Sequence, residues 1–65
     1  MSAKDRMVIP SAIAMRLLGN PGEAEWRRLI AERVVEVAVK RTNRGAQVAT
    51  NFRSIERAEA AIAAQ

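Results

Sequence analysis

The side chains best suited to contact a charged ligand are concentrated in one stretch after the middle of the chain. Cations alternate there with amides, and we single out six of them as a candidate nucleic-acid contact: Lys40, Arg41, Asn43, Arg44, Gln47 and Arg53. Lysine and arginine neutralise phosphates, and arginine and amide side chains can also read base edges. The alternative interpretation is that these cations only favour a helix C-terminus and keep a turn solvated.

The distribution of charge along the chain singles out the same stretch. Residues 40–53 contain four cations and no acid, so their net charge of +4 equals that of the whole 65-residue chain. The remaining residues therefore sum to zero. A local excess of cations without compensating acids is typical of a surface that meets a polyanion.

Residues for catalysis or metal binding are scarce in this sequence. The chain has no cysteine and no histidine, which removes thiol nucleophiles, the most common general base and the usual zinc ligands. Carboxylates such as Glu32 and Glu36 have the spacing of a solvated helix face. We therefore expect a non-enzymatic protein with no cofactor, no metal and no small-molecule substrate.

The length of the chain predicts a single small domain over residues 1–65. A domain of this size buries only about 60% of its unfolded surface, and no disulfide is available to reinforce it. Such scaffolds depend on helix packing, oligomerisation or a partner, so we expect a homo-oligomer or a protein partner. The apolar stretches fall short of the roughly 20 residues that span a bilayer. We expect a cytoplasmic or virion-associated protein, and the composition suggests a bacterial, phage or plasmid origin.

Two turn signals, at residues 19–22 and 42–45, divide the chain into three segments. The first segment predicts a short helix over 12–18, with Ser11 as N-cap and Gly19 as the stop. Its apolar residues must be buried by something: Ile13, Met15, Leu17 and Leu18. The last segment predicts a helix that begins at Asn51 or Ser54 and runs to Ala64.

The middle segment has the periodicity of an amphipathic helix from Pro21 to Arg41. Asn20 would be its N-cap, and Glu23 would complete a capping box. Trp26 lies on the apolar half of this helix, where most tryptophans belong to a core. On this interpretation the fold is mainly α, a small three-helix domain.

A second interpretation of the middle segment is a β-hairpin. Valines alternate at 35, 37 and 39, and a turn at 42–45 would pair Val39 with Val48, Val37 with Thr50, and Val35 with Phe52. The preceding helix would then stop near Glu32. This gives an α+β fold with a hairpin at about 33–52 between helices. That layout is similar to small phage head-completion proteins, and we carry no residue over from them.

Two functions follow from these features. The first is a small nucleic-acid-binding accessory or regulatory protein, although neither a helix-turn-helix over residues 46–62 nor a ribbon-helix-helix over 7–18 fits the spacing. The second is a protein-binding adaptor or inhibitor, such as a phage assembly or anti-host factor. It would dock through apolar residues, for which Trp26, Met7 and Ile9 are the candidates.

Overall fold

The computed structural model, which describes residues 2–65, is an α+β fold with three α-helices and a three-stranded antiparallel sheet. The mainly α prediction is therefore wrong, and the hairpin alternative has the correct class. The sheet order is β1-β3-β2. After a 3-10 turn at Ala3–Asp5, the elements are β1 Ile9–Pro10, α1 Ser11–Leu17, α2 Glu23–Ala31, β2 Ala38–Thr42, β3 Gly45–Thr50 and α3 Phe52–Ala63.

The predicted continuous helix from Pro21 to Arg41 is wrong because the chain turns away after Ala31. Arg33 adopts a left-handed φ of 61°, and the amides of Val34 and Val35 both donate to the carbonyl of Leu29. This turn directs Val35 into the core, where it is 2% exposed. β-Branched residues favour extended backbone, and burial of Val35 stabilises the turn. Together these effects outweigh the helical periodicity of the polar residues, which continues past the turn.

The connection between α1 and α2 is a short glycine-containing turn. Gly19 has a φ of 81°, and the amides of Gly19 and Asn20 donate to carbonyls in the last turn of α1, which confirms Gly19 as the helix stop. The predicted caps are wrong at two other places. Gly22 precedes α2 in place of Asn20, and Ser11 is the first residue of α1. The Ser11 hydroxyl instead donates to the carbonyl of Val48 at 3.3 Å, which ties α1 to β3.

The hairpin has part of the predicted register. Val39 pairs with Val48 as expected, but the ladder ends at Ala38 and Ala49. The expected pairings of Val37 with Thr50 and of Val35 with Phe52 are therefore wrong. Val37 precedes β2, and Phe52 is the first residue of α3. α3 begins where the sequence predicts, since the Asn51 side chain accepts a hydrogen bond from the amide of Ser54 at 2.8 Å.

The core lies between the helices and the base of the sheet. Its buried apolar residues come from the three α-helices, from β1 and from the connection between α2 and β2: Ile9, Ala14, Trp26, Leu29, Val35, Ile55 and Ala58. Burial of the whole apolar surface of α1 is not observed, since Ile13 and Leu17 are 48% and 53% exposed. No helix within residues 2–65 combines the length and apolarity needed to cross a bilayer.

Buried hydrogen bonds fix the base of the hairpin to α3. The Thr50 hydroxyl donates to the carbonyl of Glu36, and the amide of Glu36 donates to the Ser54 hydroxyl at 2.9 Å. Thr50 and Ser54 are both fully buried. Without these two hydrogen bonds, buried polar groups would lack a partner. The bonds also set the direction in which the hairpin leaves the core.

Candidate nucleic-acid interface

The outer part of the hairpin extends beyond the core. Every residue from 39 to 48 is exposed, whereas Ala49 and Thr50 at the base of β3 are buried. We call residues 39–48 the hairpin arm. Because both faces of the arm are open to solvent, its side chains are available to a ligand without any rearrangement of the core.

The cations of the hairpin arm have no acidic partners. Within residues 2–65, no carboxylate oxygen lies within 4.0 Å of the charged nitrogens of Lys40, Arg41 or Arg44. The arm carries these three cations and no acid, whereas the rest of the chain carries eight cations against seven acids. The positive potential of the molecule is therefore concentrated on the arm.

The strand register assigns the arm's side chains to two faces. Successive side chains alternate across a strand, so paired residues share a face. One face carries Lys40 paired with Gln47, and the other carries Arg41 together with the Val39–Val48 pair. The two adjacent cations of β2 thus project in opposite directions, and the arm can reach anions on either side.

The tip of the arm is a compact two-residue turn. Asn43 and Arg44 both keep negative φ angles, and Gly45 supplies the positive φ of 111° that closes the hairpin. The Thr42 hydroxyl donates to the carbonyl of Gly45 at 2.9 Å and accepts from the amide of Arg44 at 3.2 Å. Thr42 was not among the predicted site residues, although threonine two residues before a turn amide is a recognised turn-forming signal.

Arg53 does not belong to this cluster. It lies in the first turn of α3, and its Nε donates to Oδ1 of Asp5 at 2.6 Å. This hydrogen bond lowers the pKa of Asp5 and raises the pKa of Arg53. The structure therefore places five of the six predicted contact residues on the arm. Arg53 instead binds Asp5 and so connects the N-terminal segment to α3.

The predicted protein-interface residues lie mainly inside the fold. Trp26 and Ile9 are 7% and 6% exposed, which agrees with the core interpretation of Trp26, and Met7 is half-buried. Their proposed contact with a partner stays a prediction. The large apolar side chains that are accessible are found elsewhere: Val8, Ile13, Leu17, Val39, Val48 and Phe52.

Helices α1 and α2 follow one another across a short connection. Both helices contribute to one core cluster through Ala14, Trp26 and Leu29, and only residues 18–22 separate them. The exposed side of α2 carries Arg27 and Arg28.

No protein family, curated protein or solved structure matches this chain. Its chemistry therefore has to be inferred from its own side chains. No cluster of three or more potential metal-ligating side chains occurs in the described part of the chain. The hairpin arm offers hydrogen-bond donors and positive charge, an arrangement that suits anionic ligands.

Proposed function

We propose that this protein is a small accessory or regulatory factor that binds nucleic acid without catalysing a reaction, and that the hairpin arm supplies its phosphate contacts. The observation that carries the proposal is the exposed arm, whose three cations have no acidic partner within residues 2–65. Phosphate neutralisation by such cations releases counterions and dominates the affinity of most nucleic-acid-binding proteins. Asn43 and Gln47 on the same arm add uncharged groups that can bond to phosphates or bases.

Double-stranded DNA is the ligand that the fold favours. Proteins that bind single strands stack bases on exposed aromatic rings, but this chain has only Trp26, which is buried, and Phe52, which lies off the arm. A helix or a two-stranded ribbon fits the roughly 12 Å major groove of B-form DNA, whereas the major groove of A-form RNA is too narrow.

The test is the salt dependence of binding to a mixed-sequence DNA duplex, measured by fluorescence anisotropy between about 50 and 200 mM salt. Reversal of Arg41 and Arg44 to Glu removes two phosphate contacts. We expect the slope of log affinity against log salt to fall by roughly 1.8, at about 0.9 per contact.

The matched control is the reversal of Arg6 and Arg33 to Glu. Both side chains are exposed, and in the described part of the chain neither has a carboxylate within 4.0 Å. The change in net charge is the same, but the arm is intact, so we expect a slope close to that of the unmodified protein. Equal losses in the two variants would contradict a role for the arm, and failure of the unmodified protein to bind would contradict the proposed function.

A second candidate function is docking to another protein. The exposed side chains of Ile13 and Leu17 lie one turn apart on α1, and this apolar pair supports an adaptor role or self-association. Binding through such a pair would change little with salt. Replacement of both residues with Ser would abolish a protein contact and leave the salt-dependent binding of the arm unchanged.

A further inference from the structure

The hairpin arm carries an apolar surface as well as cations. Val39 and Val48 lie opposite each other in the strand register, and their side chains are 69% and 41% exposed. They share a face of the ribbon with the Arg41–Ala46 pair. We call these four residues the valine face. Exposed apolar atoms gain free energy when they leave water, so this face suits a ligand that offers apolar groups beside its charges.

Over the arm, the sheet is a ribbon of two strands. β1 pairs with β3 only at Ala49 and Thr50, so in the described part of the chain no third strand flanks residues 45–48. A two-stranded ribbon fits the major groove of B-form DNA, which is about 12 Å wide, whereas the minor groove is only about 6 Å wide. The shape of the arm therefore favours the major groove.

Charge does not decide which face of the ribbon turns towards the bases, because Lys40 lies on one face and Arg41 on the other. Burial of apolar surface does decide it. The apolar group that base pairs present in the major groove is the 5-methyl group of thymine. With the Lys40 face inward, both valines of the arm would stay in water. With the valine face inward they are covered, and the long, flexible Lys40 side chain can still extend to phosphates at the groove wall.

We propose that the valine face meets the bases, with Val39 and Val48 packed against thymine methyl groups in the major groove. The protein then prefers thymine-containing duplexes through apolar contact. The spacing is compatible, because the valine pair and the Arg41–Ala46 pair are about 7 Å apart at 3.4 Å per residue. That distance spans about two base-pair steps of 3.4 Å. The inference rests on the proposed function, because it requires the arm to contact duplex DNA.

Replacement of thymine by uracil tests the inference, because it removes the 5-methyl group and leaves the phosphates and the base pairing unchanged. Affinity is measured by fluorescence anisotropy for a duplex of alternating A·T and T·A base pairs, and for the same duplex with uracil at every thymine position. Burial of one methyl group is worth about fourfold in affinity. We expect the unmodified protein to bind the thymine duplex about fourfold to fifteenfold more tightly, for one or two methyl contacts.

Val39→Thr and Val48→Thr, combined in one protein, identify the side chains responsible. Threonine keeps the β-branched shape that strands favour and replaces one methyl group with a hydroxyl. The combined variant should bind the two duplexes within about twofold of each other, and its salt slope should be unchanged because no phosphate contact is lost. Val8→Thr is the matched control, since Val8 is 55% exposed and lies outside the arm. It should keep the full preference for thymine.

The outcomes separate this inference from the proposed function. If the unmodified protein binds no duplex, the proposed function is wrong and the inference falls with it. If reversal of Arg41 and Arg44 lowers the salt slope but the unmodified protein binds the thymine and uracil duplexes equally, only the inference is wrong. That comparison does not depend on the folding of a valine variant. A thymine preference that survives in the combined variant would also overturn the assignment to these valines.

Two other uses of the valine face predict different results. A minor-groove contact would respond to inosine in place of guanine in a mixed-sequence duplex, because inosine lacks the N2 amino group that guanine presents there. A second copy of this chain on the valine face would give a concentration-dependent mass in sedimentation that the combined variant abolishes, although the cations of two arms repel each other. Either result, together with equal binding of the thymine and uracil duplexes, overturns the inference.

Discussion

The hairpin arm and the rest of the molecule, which we call the body, differ in how their cations are paired with acids. On the body, ion pairs of the i,i+3 and i,i+4 type join Arg28 and Arg27 to acids of the same helix. Longer-range ion pairs join the N-terminal segment, and the segment that precedes β2, to α3. The arm has three cations and no acid over ten residues. The pairs of the body support its local structure, whereas the cations of the arm repel one another. No ion pair within residues 2–65 accounts for the cluster on the arm, and this is the observation from which we propose a ligand for it.

The same two regions differ in how they are held. The body surrounds a contiguous core, whereas the arm depends on the strand ladder and on the Thr42 hydroxyl at its tip. Segments with few buried contacts open at low free-energy cost. We therefore expect substitutions in the body to change stability and substitutions on the arm to change binding.

Trp26→Ala should have the largest effect and would separate the two regions most clearly. The side chain is 7% exposed within the core, so its truncation should lower the free energy of unfolding by about 3–5 kcal/mol. Reversal of Arg41 and Arg44 should change it by no more than about 0.5 kcal/mol. Urea denaturation measures both. A Trp26→Ala protein with normal stability in urea that binds no DNA would contradict this separation of stability from binding. It would favour an interface role for Trp26.

Much of the fold could be predicted from local signals, and the failures have definite physical causes. The Asn51 cap, the Gly19 stop and the pairing of Val39 with Val48 each depend on residues close in sequence or on a simple alternation. The end of α2 was located, near Glu32, only on the hairpin interpretation. The continuous-helix interpretation missed it because the polar period continues beyond Glu32, while the burial of Val35 depends on distant parts of the core.

The candidate site was only partly predictable for a similar reason. The stretch of cations from Lys40 to Arg44 is visible in the sequence, and the structure exposes it. Arg53 appeared equivalent because it lies in the same acid-free window, but its partner, Asp5, is 48 residues away. Charge windows reveal which cations lack acids nearby in sequence, and they cannot reveal which cations meet acids in space.

The base of the hairpin is expected to contribute more to stability than its tip. Ser54→Ala removes the acceptor for the amide of Glu36 and leaves that amide without its partner, so the free energy of unfolding should fall by about 1–3 kcal/mol. Thr42→Ala removes hydrogen bonds that water can replace at the exposed tip, and its cost should be below about 1 kcal/mol. Urea denaturation and hydrogen exchange of the β3 amides distinguish the two. Equal costs would contradict the description of the arm as a loosely held extension.

The smallest expected effect on stability concerns the ion pair between Asp5 and Arg53. Arg53 is the cation that the sequence analysis placed in the basic cluster. The hydrogen bond from Arg53 lowers the pKa of Asp5 below its ordinary value of 3.8. A carboxylate whose pKa is lowered by folding stabilises the folded state above its ordinary pKa, and this stabilisation is lost as the pH falls through the lowered value. Asp5→Asn should therefore reduce stability at pH 7, and the difference from the unmodified protein should disappear in strong acid.

A double-mutant cycle with Arg53→Gln checks the origin of this effect. If the pair is responsible, Asp5→Asn and Arg53→Gln are non-additive at pH 7, because either change alone removes the same interaction. Their combination should cost little more than either alone. DNA binding provides the contrast with the arm, since Arg53 is held by Asp5 and makes no phosphate contact in the proposed complex. Arg53→Gln should thus leave the salt slope unchanged, and a fall of about 0.9 in that slope would return Arg53 to the basic cluster.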